Sequence, residues 1–178
     1  VAAISVVDTV MNLAFIVFGG LSSAIAIFIG GKLGAGKLDE AKGDAKKIIV
    51  FGMIVSMVLG SILFLVAPFI HHLYELSPEA IHALETLVRI KSVLMPIYVI
   101  NVCTFFILRA GGAAMSTMII DSGFLWAGPV LVSTVLSLFT SMDLVTLYIT
   151  VELLDLVKMF FAFWFLGQGK WVRNLAED

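Results

Sequence analysis

Five long apolar stretches separated by short polar connections set the pattern of this chain. They run at about 3–31, 48–70, 88–108, 115–139 and 144–166. Each supplies the ~20 mostly apolar residues that a helix needs to cross a hydrocarbon core. Short connections make neighbouring spans antiparallel. The expected fold is therefore all-α: a polytopic membrane helix bundle of about five transmembrane helices, occupying 1–178 as a single membrane domain. The chain begins at Val1, already inside the first apolar run, and reads as a piece of something longer.

The spans are more than lipid anchors. In the first, Ser5, Asp8, Asn12, Gly19, Ser22, Ser23, Ala26 and Gly30 fall within about 60° of one line at the helical period, with Val10, Leu13, Val17 and Leu21 opposite. Small residues let another helix approach closely, so the Gly30 half reads as a packing seam. For the Asp8–Asn12 half, a buried polar contact and a water-filled cavity both stand, because acids in spans seldom face lipid. The third span holds Pro96, which removes one backbone hydrogen bond, and Asn101. The fourth holds Asp121 and the Gly128-Pro129 pair.

The fifth span carries Glu152, Asp155 and Lys158 in its middle. Each such charge costs about 2.5–3.5 kcal/mol at the bilayer centre on insertion scales, so the three must pair or face water. Asp155 and Lys158 are three residues apart, a spacing that allows a pair along one helix face. Glu152 has no cation at such a spacing, and both a structural and an ion-coupling role remain open for it.

Composition agrees with the pattern. The chain is 61% hydrophobic and 13% charged, with a mean hydropathy of +1.10, far from the balance of a water-soluble domain. The formal charge of −2 speaks against a nucleic-acid partner. A single cysteine, Cys103, excludes an intrachain disulfide.

Basic residues orient the bundle. Lys32, Lys37, Lys42, Lys46 and Lys47 crowd the first connection, Arg109 the third, and Lys170 and Arg173 the tail. The second connection has no lysine or arginine, although Arg89 and Lys91 lie just beyond it, and the fourth has none. The positive-inside rule places 32–47 and the C-terminal tail in the cytoplasm, and Val1 near the outer face. Trp171, Tyr74 and Tyr148 suit interfacial positions.

No catalytic motif stands out. GGKLGAGK lacks the form of a phosphate loop and follows a membrane helix, so it reads as a membrane-edge turn. His71 and His72 are adjacent, lack a third ligand nearby, and read as solvated loop histidines. No cofactor and no metal is expected, and the chain is not expected to be an enzyme.

Four ordered motifs carry a resemblance. They are GGKLGAGKLDEAK (Gly30 to Lys42), LRAGGAAMSTMIIDSGFLWAGP (Leu108 to Pro129), YITVELLDLVK (Tyr148 to Lys158) and GKWVRNL (Gly169 to Leu175). Together they resemble the C-terminal lobe of a multidrug and toxic compound extrusion (MATE) transporter. The resemblance implies helices eight to twelve of a twelve-helix protein built from two six-helix lobes. It implies export of small cationic or amphiphilic compounds in exchange for sodium ions or protons, across the plasma membrane of a prokaryote. Its partners would be the lipid bilayer and the N-terminal lobe of the same protein.

Some members place a cation-binding acid in the tenth helix. Here IYVINVCTFFILRAGG offers Tyr98 and Asn101 but no carboxylate. The coupling ion is therefore unassigned. The candidate pathway residues are Asp8, Asn12, Tyr98, Asn101, Asp121, Glu152, Asp155 and Lys158. A lipid-linked saccharide flippase of the same superfamily, or a non-transporting membrane subunit, are the alternatives.

Overall fold

A computed structural model describes residues 2–174, all helices and connections with no strand among them. Helix α1 spans Ala2–Gly34, α2 spans Leu38–Ile70 and α3 spans Pro78–Ala110, each of 33 residues. At ~1.5 Å per residue each is about 50 Å long, against a hydrocarbon core of ~30 Å, so their polar ends project into the headgroups and beyond. A fourth crossing is built from α4 (Ala114–Leu125), a π-helical turn (Trp126–Val130) and α5 (Leu131–Phe139). The last apolar segment is two pieces, α6 (Leu144–Glu152) and α7 (Leu154–Gly167). Four of these helical units are long and apolar enough to cross a membrane, and α6–α7 forms the fifth segment with a break at Leu153. Val1 and Leu175, which figured in the expected topology and tail motif, lie outside the described residues.

The boundaries depart from the hydropathy reading in one consistent way. The third helix begins at Pro78, ten residues before the expected span at 88–108, and α2 begins at Leu38 rather than near 48. Helices continue through polar turns that hydropathy discounts. The start of α3 is explained locally. Ser77 has extended backbone and its side chain accepts from the Ala80 amide at 3.4 Å, and Pro78 occupies the first helical turn, where a missing N–H costs nothing. The π turn coincides with Gly128-Pro129, where proline removes a donor from the helical ladder.

The core is the α1–α2–α3 packing, and its tightest seam is not the expected one. Ala41, Ala45, Gly52, Ser56, Gly60 and Ala67 form a buried stripe of small residues down one face of α2. A Cβ at Gly60 would stand 2.5 Å from the Ser92 carbonyl oxygen on α3, and one at Gly52 would stand 3.1 Å from Cys103 Sγ. Small residues bring these two backbones together. The Gly30 half of α1, expected as a seam, has nothing within 4 Å of a Cβ at Gly19, Gly20, Gly30 or Gly31. Instead α1 buries the neighbouring stripe of Val7, Met11, Ala14, Phe18, Ile25 and Ile29. Large side chains bury more apolar surface, and that stripe won the core.

At one end of the bundle three connections converge. Lys32 pairs with Asp44 at 2.5 Å and Glu40 at 3.2 Å, tying the end of α1 to the start of α2. The residues after α7 fold back under the α3–α4 turn. Trp171 is buried, its indole Nε1 donates to the Leu166 carbonyl at 3.1 Å, and Arg173 Nε and Nη2 donate to the Gly111 and Gly112 carbonyls at 3.3 Å each. The first connection, the third connection and the tail thus share one end, as the distribution of lysine and arginine requires. At the other end, His71 is half-buried, with Nδ1 3.5 Å from Glu85 Oε1 on α3, and is not the solvated loop histidine expected. A short 3₁₀ turn (His71–Leu73) directly after α2 carries His71 beside α3.

Candidate functional site

The site grows from two polar faces on otherwise apolar helices. On α3, Lys91, Tyr98, Asn101, Phe105 and Arg109 lie within about 80° of one another at the helical period. On α6–α7, Tyr148, Glu152, Asp155 and Lys158 form the facing set. Apolar solvent on the outside leaves these groups one favourable option, which is each other.

Lys91 organises one end. Its Nζ lies 3.4 Å from Glu152 Oε1, 4.0 Å from Asp8 Oδ1 and 5.1 Å from the centre of the Tyr148 ring. Its side chain is only 15% exposed, so a single ammonium ties α1, α3 and α6 in a partly desolvated place. Asp121 organises the other end. Its Oδ1 lies 2.5 Å from Lys158 Nζ and its Oδ2 lies 3.4 Å from Arg109 Nη2. Lys158 also stands 5.2 Å from the centre of the Phe105 ring and 5.9 Å from that of Phe124. The aromatic faces add to the environment of the cation.

Between the two clusters sits Asp155. Asn101 Nδ2 donates to the Asp155 backbone carbonyl at 3.0 Å, and the Asp155 carboxylate has no ion pair within 4 Å among the described residues. Lys91, Tyr98, Glu152 and Asp155 line a cleft of about 100 Å³, and Asp121, Phe124, Asp155 and Lys158 line a second of about 290 Å³. Asp155 belongs to both. Tyr98 forms one wall, stacked on Phe15 of α1 with ring centres 4.4 Å apart. Asn101 is buried, and its Oδ1 has no partner among the described residues.

One expectation is corrected here and another is completed. Lys158 pairs with Asp121 of α4 and not with Asp155 on its own helix. An i,i+3 spacing permits a pair, but the fold brings the Asp121 carboxylate to 2.5 Å from Lys158 Nζ. Glu152, which lacked a local cation in the sequence, has one in Lys91. Of the remaining candidates, Asp8 reaches the Lys91 cluster at its limit and is half-exposed, and Asn12 is exposed, with no side-chain partner among the described residues.

From the sequence, Lys91 and Arg109 bear only on the orientation of the bundle. Their signal was present as the α3 face, since Lys91 and Arg109 share one helical stripe with Tyr98 and Asn101. Among the described residues no group of three or more His, Cys, Asp or Glu is placed to hold a metal ion.

A family model described as MatE matches residues 1–132, well over half of the chain. No curated protein and no solved structure matches. The match takes in α1 to α4, with the small-residue face of α1, the Gly-rich turn and the Arg-Ala-Gly-Gly turn, on an all-helical frame with apolar outer faces. The chain therefore belongs to the MatE family of multi-pass membrane transporters.

Proposed function

We propose that this chain is the C-terminal lobe, less its first helix, of a secondary-active exporter. The exporter moves small cationic or amphiphilic compounds out of a prokaryotic cell against entry of sodium ions or protons. Loop 32–47 and the tail lie in the cytoplasm. One observation carries the reading: Asp155 stands between two ion clusters, on two clefts, with no ion pair to its carboxylate within 4 Å among the described residues. Three cations (Lys91, Arg109 and Lys158) face four carboxylates (Asp8, Asp121, Glu152 and Asp155). The surplus is negative, which suits a cation and not the anionic headgroup of a lipid-linked saccharide.

The chemistry is competition for carboxylates. A sodium ion or proton reaching Glu152 neutralises the charge that Lys91 otherwise satisfies, and one reaching Asp155 neutralises a carboxylate that no cation holds within 4 Å among the described residues. Lys91 then turns to Asp8 on α1, and the contact between α3 and α6 loosens. The exposed polar face of α1, bearing Asp8 and Asn12, lines the cavity shared with the other lobe. A second lobe moving against this one supplies alternating access.

The test uses the complete transporter in proteoliposomes under an imposed sodium or proton gradient. Asp155→Asn should abolish gradient-driven export while leaving folded yield near wild type, because its carboxylate supports no ion pair. Full export by Asp155→Asn would overturn the reading.

A further inference from the structure

We infer that the groove between α2 and α7, at the end of the bundle that carries the lysine-rich connection, seats one anionic phospholipid. Its volume is about 670 Å³, larger than either cleft at the ion clusters. The groove exists because α2 and α7 both pack on α3 and leave a gap between themselves at this end. Its floor is apolar, with Ile49 and Val50 on one side and Phe163 and Leu166 on the other. Lys42 and Lys46 stand at its mouth, and the buried Trp171 closes its base.

The arrangement matches the two-part chemistry of a phospholipid. Lys42 and Lys46 are four residues apart on α2, which puts their stems ~5–6 Å apart on one helix face. Two ammonium groups at that spacing can share one phosphate. From Lys42 to Val50 the groove follows α2 for eight residues, ~12 Å, enough to take the upper part of an acyl chain. Both lysines are exposed. Among the described residues, Lys42 has one ion contact, at 4.0 Å to the fully exposed Asp39, and Lys46 has none within 4 Å. By contrast, Lys32 and Lys47 are engaged by Asp44. Charge complementarity therefore selects an anionic headgroup, and basic pockets between helices at this membrane face are suited to such lipids. The inference rests on the membrane placement of the chain and not on the export reading.

The experiment is lipid retention by the complete transporter carrying these residues, purified in mild detergent. It is incubated with equimolar phosphatidylglycerol and phosphatidylcholine and weighed by native mass spectrometry. Wild type should retain phosphatidylglycerol at least fivefold over phosphatidylcholine. Lys42→Gln with Lys46→Gln should remove that preference, and Lys42→Arg with Lys46→Arg should keep it. Val50→Trp, which fills the floor and leaves the lysines in place, should lower phosphatidylglycerol retention at least fivefold. Equal retention of the two lipids by wild type overturns the proposal, as does a preference untouched by the double glutamine variant, which would mean that another helix of the protein fills the groove. Displacement of the lipid by equimolar inorganic phosphate also overturns it, since a bare phosphate site needs no acyl floor.

Discussion

Lys158 Nζ on α7 lies 2.5 Å from Asp121 Oδ1 on α4, two residues 37 positions apart in sequence and joined only by the fold. Asp121 also holds Arg109 of α3, so one carboxylate balances two cations from two other helices. Removing it leaves two half-buried cations without their shared counter-ion, which destabilises the packing of α3, α4 and α7. Asp121→Asn should therefore sharply lower the yield and melting temperature of the solubilised protein, measured by fluorescence-detected size exclusion against temperature. Asp121→Asn combined with Lys158→Met should be less damaging than Asp121→Asn alone. Additive losses in the two variants would show that the contact carries no coupling.

Glu152 meets Lys91 at the opposite cluster, on the wall of the smaller cleft. Glu152→Gln should weaken ion-driven export several-fold and flatten its dependence on pH, since a titrating group is lost from the pathway. Lys91→Ala should instead lower the folded amount, because Asp8 and Glu152 then lose their common cation. Wild-type export and pH profile in Glu152→Gln would remove Glu152 from coupling.

The α3–α4 turn predicts a glycine effect that sequence alone would not rank. A Cβ at Gly111 would stand 2.2 Å from the Trp171 carbonyl oxygen, and Gly112 has φ +81° with Arg173 against it. Gly111→Ala should cost at least ~2 kcal/mol, as overpacking against backbone does. Gly19→Ala, where nothing lies within 4 Å, should leave stability unchanged or slightly raised. If Gly19→Ala impairs export while stability holds, the α1 face meets the second lobe. Equal melting temperatures for Gly111→Ala and wild type would contradict the packed tail.

Orientation is testable with single cysteines. Cys103 is fully buried, so it need not be replaced. A cysteine at Ser77, at the connection free of lysine and arginine, should react with an impermeant maleimide on intact cells. One at Lys42 should react only after permeabilisation. The reverse pattern would invert the bundle.

Asp8→Asn should change substrate range or affinity more than membrane abundance, because Asp8 is half-exposed and holds Lys91 only at 4.0 Å. A collapse in abundance with unchanged affinity would make it a packing residue.

Helix number, membrane placement and the shared end of the basic connections were legible in the sequence. They depend on local hydropathy and on counts of lysine and arginine, which need no partner. Helix starts were less legible, since α3 runs from Pro78 through His82, Glu85, Arg89 and Lys91, all residues that depress hydropathy. The Ser77-Pro78 cap was the local signal that outweighed them. Which acid meets which base was not legible at all. Asp155 and Lys158 have the spacing of a pair, yet Lys158 turns to Asp121 and Glu152 to Lys91. In an apolar solvent a charge takes whatever opposite charge the packing brings nearest. That is set by how closely the Gly60 side of α2 seats against α3 and how α7 then lies across it. Small-residue stripes occur on both α1 and α2, and only the assembled bundle chose between them. The sequence by itself determined a membrane bundle with charges that had to be satisfied inside; tertiary packing decided the partners, because ion pairing across helices depends on approach in space and leaves no period along the chain.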